Sequence, residues 1–224
     1  SMSSIGTPIG CLLTGYMMDS LGRKRSLIVT EIPALIGWLL ITFASSIDMI
    51  YAGRFLTGLS SGMVGAPARV YTSEVTQPHL RGMLTALASV GVSTGVLIEY
   101  ALGGVLPWKI CAAISGLVPL LALILMFFYP ETPSYLISRS KPEEAKQALK
   151  KFRASSYDLD REMDGLINFS TKNNLKRLTG FGEIMRAIIK PNAIKPFTIL
   201  FIYFFIYQWS GTNAVTFYAV QIFK

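Results

Sequence analysis

Charge is what this sequence has least of. Only 15 % of its 224 residues are Asp, Glu, Lys or Arg, and it holds one histidine and two cysteines. Soluble domains carry about 25 % charged residues, so the shortage argues against a chain whose whole surface meets water. The lone His79 sits in a loop with no triad partners nearby, and Cys11 and Cys111 are isolated in apolar surroundings. Neither a metal site nor a credible disulfide follows from them. Acidic residues are also outnumbered, 13 against 21 Lys and Arg, which leaves a net charge of +8. No aromatic–basic module accompanies that excess, so nucleic acid is not its target.

What is abundant is apolar. Hydrophobic residues make up 51 % of the chain, its mean hydropathy is +0.46, and the apolar residues come in long runs. A bilayer core of about 30 Å needs about 20 such residues per helical crossing. Six pieces fit that length: 3–18, 26–46, a stretch from near Met49 to near Glu74, 83–106, 108–129 and 197–223. Arg23, Lys24 and Arg25 fill the first loop, Arg81 follows the third piece, and thirteen Lys or Arg lie between Tyr129 and Phe197. The intervening loops hold only Asp48 and Lys109. Basic loops mark the cytoplasmic side, so the net charge reads as topology, with anionic lipid as a secondary attraction. On this topology the sequon at Asn168 is cytoplasmic and stays unmodified.

Segment 130–196 is the one soluble stretch. Ser140, Lys141, Pro142 and Glu143 spell a capping box, followed by Ala145, Leu149 and Phe152 on one helical face. Leu159, Met163, Leu166 and Ile167 predict a second short amphipathic helix, and Ile184, Ile188 and Ile189 a third. A solvated linker with transient helices is the bland alternative.

Charges inside spans are costly and usually functional, so the few present carry weight. Arg54 and Glu74 lie about 30 Å apart along one predicted helix and cannot pair with each other. Glu74 and Arg81 flank the turn TQPHL and can meet across it, while Glu131 ends the fifth span at the same cytoplasmic level. Asp19 and Arg23 flank the first basic turn. Opposite charges gathered at one level predict a latch that can be made and broken; helix-end snorkelling is the plain alternative. Glu31 and Glu99 read as interfacial acids near span ends. Gly58 with Gly62, and Gly91 with Gly95, are close-packing motifs for membrane helices.

The motifs D19-x-x-GRK, GRFLTG (53–58), YTSE (71–74), RG (81–82), PETPSYL (130–136) and QWSGTNAV (208–215) occur in this order. Together they resemble the sugar porter family of the major facilitator superfamily. EIPALIGWLLI and QPHLRGML are most similar to the insect facilitated trehalose transporters within it. The resemblance implies an all-α membrane protein with an incomplete major facilitator fold, about six transmembrane helices plus a cytoplasmic helical segment. Residues 1–129 would hold family helices two to six, 130–196 the cytoplasmic linker, and 197–224 family helix seven. The missing helices of a full-length chain would be partners, beside the lipid bilayer and a small-molecule sugar. No cofactor, metal or catalytic residue is implied, and the expected location is the plasma membrane.

By the same resemblance Asp19, Arg23, Arg54, Glu74, Arg81 and Glu131 form the polar network that biases one conformation. Gln208 and Asn213 match the amides that hold the sugar, with Tyr207 in place of a paired glutamine and Trp209 in place of a leucine. Ser89 stands where glucose transporters place a glutamine, Val92 and Val96 keep an apolar wall, and Arg69 and Ser134 replace a usual proline and arginine. The loss of glutamines implies a substrate other than simple glucose, or altered affinity. Facilitated uptake of trehalose or a hexose by alternating access is the implied function. A non-transporting sugar sensor or truncated regulatory isoform is the alternative.

Overall fold

The computed structural model describes residues 2–153, 159–172, 191–211 and 215, which fall into two compact units, Ser1–Lys172 and Asn173–Lys224. In the first unit five long helices run in order: α1 (Met2–Leu21), α2 (Arg23–Thr42), α3 (Ile47–Val75), α4 (Arg81–Val105) and α5 (Trp108–Phe128). Three short helices follow, α6 (Pro133–Ser138), α7 (Pro142–Phe152) and α8 (Leu159–Lys172). The second unit contributes α9 (Pro191–Trp209). The predicted helix around Ile184 lies outside the described residues.

Among the described residues α2, the α4 stretch and α5 are long and apolar enough to cross a membrane, and Ile194–Trp209 forms a shorter apolar helix. Helices α1 and α3 are diluted by Gly, Ser and Thr, and the reason is how they pack. A Cβ on Gly10 would fall on the Leu59 carbonyl oxygen, and one on Gly62 would fall on that of Thr7. Backbone therefore meets backbone along this seam. Hydroxyls follow where the carbonyls come close: Thr7 Oγ1 lies 3.2 Å from the Gly58 oxygen and Thr14 Oγ1 lies 3.0 Å from that of Met63. Lipid tails are as apolar as leucine, so membrane helices associate through such close packing and hydrogen bonds. On the other flank of α3 a Cβ on Gly53 would strike Ile41 and the Gly37 oxygen, and buried Ser60 donates to Thr30 across 2.7 Å. The Gly58–Gly62 motif is thus a helix contact, whereas Gly91 and Gly95 on α4 face open space.

Several predicted boundaries move. Helix α2 ends at Thr42 rather than 46, because the Phe43 and Ala44 amides turn back on Leu39 and Ile41 while Ser46 becomes the N-cap of α3. Helix α9 begins at Pro191, ahead of the expected 197, and carries Pro196 inside it. The capping box at Ser140 does not form. Ser140 adopts φ 59 and its amide closes α6 on the Ile137 carbonyl, so Lys141 precedes α7 with no side-chain cap. A left-handed residue is the common way to end a helix, and it takes the serine away from the next one.

The short helices have their own core. Leu136, Ala145, Ala148, Leu149 and Met163 are buried together, with Ile137 and Leu159 against them. Burying each large side chain contributes about 1.5–3 kcal/mol, which fixes α6, α7 and α8 as a packed cluster.

Candidate functional site: the charged inner rim

Positive charge marks the turn between α1 and α2, and with it the end of the bundle where α3 and α5 also terminate, named the inner end after the topology expected from the sequence. Each of these ends leaves backbone groups without helical partners: amides at an N-terminus, carbonyls at a C-terminus. Distant side chains satisfy them. Glu131, beyond α5, accepts from the Arg23 amide at 3.1 Å and the Lys24 amide at 3.0 Å, capping the start of α2. Arg139 donates to the Asp19 and Ser20 carbonyls at 2.9 and 3.1 Å, capping the end of α1. Lys24 Nζ reaches the Phe127 carbonyl of α5 at 3.2 Å, and Arg153 reaches Val75 of α3 at 2.8 Å. Carboxylate meets the positive helix end and cations meet the negative ends, so every cap agrees in sign with the helix dipole it faces.

Gly22 makes the turn possible. Its φ is 94, and a Cβ there would approach Glu131 Oε2 and the Tyr135 ring within 3 Å. The conformation excludes other residues on strain, and the space excludes them on contact.

Arg23 then crosses to α3. Its Nε and Nη2 lie 3.1 and 3.0 Å from Glu74 Oε1, in a pair whose side chains are 21 % and 17 % exposed. A hydrogen bond between ionised partners contributes about 1.5–3 kcal/mol. The other oxygen, Glu74 Oε2, is buried with no hydrogen-bond partner among the described residues. A half-satisfied buried carboxylate is costly to keep and easily recruited by another donor. Tyr71, one turn before Glu74, ties α3 to the end of α5 by donating to the Pro130 carbonyl at 2.8 Å, and its ring meets Phe152 edge-on at 6.4 Å. Arg153 pairs with Glu162 at 2.6 Å and joins α7, α8 and α3.

Of the six expected network residues the structure brings Arg23, Glu74 and Glu131 together, and Asp19 contributes its carbonyl. The expected Glu74–Arg81 meeting does not occur: Glu74 turns to Arg23, and Arg81 Nε folds back on the Thr76 carbonyl at 3.4 Å. The Arg54 side chain is exposed and makes no hydrogen bond or ion pair among the described residues. Residues that sequence reasoning passed over are Tyr71, Tyr135, Arg139 and Arg153. The two tyrosines stand inside quoted motifs; nothing in the spacing around the two arginines points to their distant partners.

The expected sugar residues lie on both units. Ser89, Val92 and Val96 are exposed along α4. Tyr207 and Gln208 are exposed near the end of α9, which breaks at Ser210 and Gly211, where φ is 78. Asn213 lies outside the described residues. Glu99, expected at the interface, is exposed and accepts a hydrogen bond from Ser115 of α5.

The family model "Sugar (and other) transporter" matches residues 1–224. A facilitated trehalose transporter Tret1 of Apis mellifera ligustica is 34 % identical over the whole chain, and one of Drosophila grimshawi is 36 % identical over 96 % of it. The chain spans 44 % and 23 % of these relatives. Among solved structures, the inward-open xylose transporter XylE of E. coli matches 99 % of this chain with a TM-score of 0.72 at 20 % identity, over 52 % of its own length. Its partially occluded inward-open form matches with a TM-score of 0.67 over 78 % of this chain and 47 % of its own.

Proposed function

This chain belongs to the sugar transporter family, and we propose that it is part of a facilitated transporter of trehalose or a hexose, working by alternating access in the plasma membrane. The fold is that of the major facilitator proteins, and the chain is a multi-pass membrane protein. The single observation that carries the mechanism is the Arg23–Glu74 pair set among the capped helix ends. Opposite charges held at the inner surface, with one carboxylate oxygen still unsatisfied, store a conformational preference that a ligand can tip. A ligand moves such an equilibrium only by its differential affinity for the two states, so the latch has to be of moderate strength.

In this reading the remaining helices of a longer protein complete the path. Gln208 and Asn213 give and take hydrogen bonds with sugar hydroxyls, beside the ring of Tyr207. Ser89, Val92 and Val96 supply the less polar wall. Ser89 and Tyr207, standing where glutamines are usual, favour a substrate other than simple glucose, and we take it to be a disaccharide. The relatives are named as trehalose transporters, and the identity to them supports the same substrate here.

The test is uptake of radiolabelled trehalose and glucose, side by side, by the longest expressed form that contains this chain, with surface expression measured. Trehalose uptake lost in Gln208→Ala at unchanged surface level is the expected result. Unchanged uptake in that variant removes Gln208 from the site; no uptake of either sugar by the unaltered protein overturns the transport reading and favours a sensor.

A further inference from the structure

The Arg23–Glu74 pair does not hold itself in place. A free arginine side chain samples many rotamers, and fixing it costs entropy that offsets part of what the ion pair returns. Beside Glu74, Arg23 Nη1 lies 3.5 Å from the Met18 carbonyl, and an aromatic ring adds a further restraint. The Arg23 guanidinium lies 5.4 Å from the centre of the Tyr135 ring, within cation–π range. A second guanidinium, Arg139, lies 5.2 Å from the same ring centre. The ring is anchored in turn, because Tyr135 Oη donates to the Ser20 carbonyl at 3.3 Å and Arg139 Nη2 donates to the Asp19 and Ser20 carbonyls. Two cations beside one ring repel each other unless each is neutralised. Arg23 has Glu74, and Arg139 has the negative end of α1. The missing side chain of Gly22 leaves the room this ring occupies.

We propose that Tyr135 and Arg139 are positioning residues of the inner latch: Arg139 pins the Tyr135 ring to the end of α1, and the ring holds Arg23 on Glu74. The proposal rests on the transport reading above and adds to it the residues that set the strength of the latch. Arg139 touches neither Glu74 nor a sugar residue, so its effect passes through the ring. Loss of the ring or of its pin frees Arg23, weakens inner closure and raises the share of the inward-facing state.

The test uses the longest expressed form, measuring half-saturation for uptake and for efflux separately, with surface density, in Tyr135→Leu, Tyr135→Phe, Arg139→Ala and Arg139→Lys. Inward bias raises the uptake half-saturation and lowers that for efflux. The expected ratio of the two rises about two- to fivefold in Tyr135→Leu and Arg139→Ala, the span of an exposed cation–π contact. Arg139→Lys keeps the charge without the planar fork and gives an intermediate shift; Tyr135→Phe keeps the ring and gives the smallest. Loss of folded protein lowers the maximal rates in both directions together and leaves the ratio alone. An unchanged ratio in Tyr135→Leu and Arg139→Lys therefore overturns the proposal and makes Arg139 a helix cap only. No transport by the unaltered protein overturns the functional reading and this proposal with it, and that result appears before any variant is made.

Discussion

The two ends of the helical bundle are closed by different means. At the outer end the caps among the described residues are local. Ser46 accepts from Met49 three residues on, the Leu106 amide bonds Leu102 within its own chain turn, and Cys111 bonds back to Pro107. The charges there are few, with Lys109 resting 5.4 Å from the ring of its neighbour Trp108. At the inner end local bonds such as Thr76 to Thr72 are joined by caps from far along the chain: Glu131 to Arg23, Arg139 to Asp19, Arg153 to Val75. Local caps stabilise one helix each and are indifferent to how helices sit relative to one another. Long-range charged caps hold only while the helices keep their relative positions. The inner rim is therefore the end at which a change of arrangement costs energy, and the end at which a switch can be set.

Breaking the long-range caps should cost more than breaking the local ones, and Arg153 is the severest case. Its side chain is 3 % exposed, and Arg153→Ala would leave Glu162 and the Val75 carbonyl without it. A loss of about 3–5 kcal/mol is expected, read as a lower melting midpoint in detergent and faster proteolysis of the α7–α8 segment. Glu131→Ala removes one carboxylate that caps two amides of α2, and about 1–2 kcal/mol is expected on the same melt. Ser46→Ala, at the outer end, removes a single 3.4 Å cap and should cost about 0.5–1 kcal/mol of stability on the same melt.

The smallest effect belongs to the exposed pair of Lys146 with Asp160, between α7 and α8. Asp160 raises the Lys146 pKa by its hydrogen bond and its charge, so whatever the pair contributes is present below the ordinary lysine range and is lost only as pH rises through the raised value. Lys146→Ala should leave the melt unchanged between mildly acid and mildly alkaline pH. A shift there as large as that for Glu131→Ala would erase the distinction between the inner rim and the exposed surface.

The outer end was legible from sequence because its signals are local. Apolar runs such as that of α5 mark a crossing by themselves, although Ser46, read as the end of the second run, caps α3 instead. The inner end was legible only as a collection of charges. Nothing in the spacing joins Glu131 to Arg23, since 108 positions separate them and the cap forms only once α2 and α5 are side by side. Glu74 had a near candidate in Arg81 and took a far one, because the helix-to-helix geometry brings the Arg23 guanidinium to it first. The same limit applies to glycine: Gly58–Gly62 and Gly91–Gly95 share one spacing, and only contact with a second helix separates a seam from an open face. Ser140 failed as a cap for the converse reason, since it was already closing the helix before it. The family resemblance supplied what spacing could not, naming Arg23, Glu74 and Glu131 as members of one network.

The central claim is that the inner rim carries the switch while the outer rim is static scaffolding. Its most direct test is trehalose uptake by the longest expressed form in three versions, unaltered, Glu74→Gln and Ser46→Ala, at matched surface density. The account expects Ser46→Ala to match the unaltered protein and Glu74→Gln to lose about tenfold or more, the effect of one charge-assisted hydrogen bond. Equal uptake by all three would contradict it.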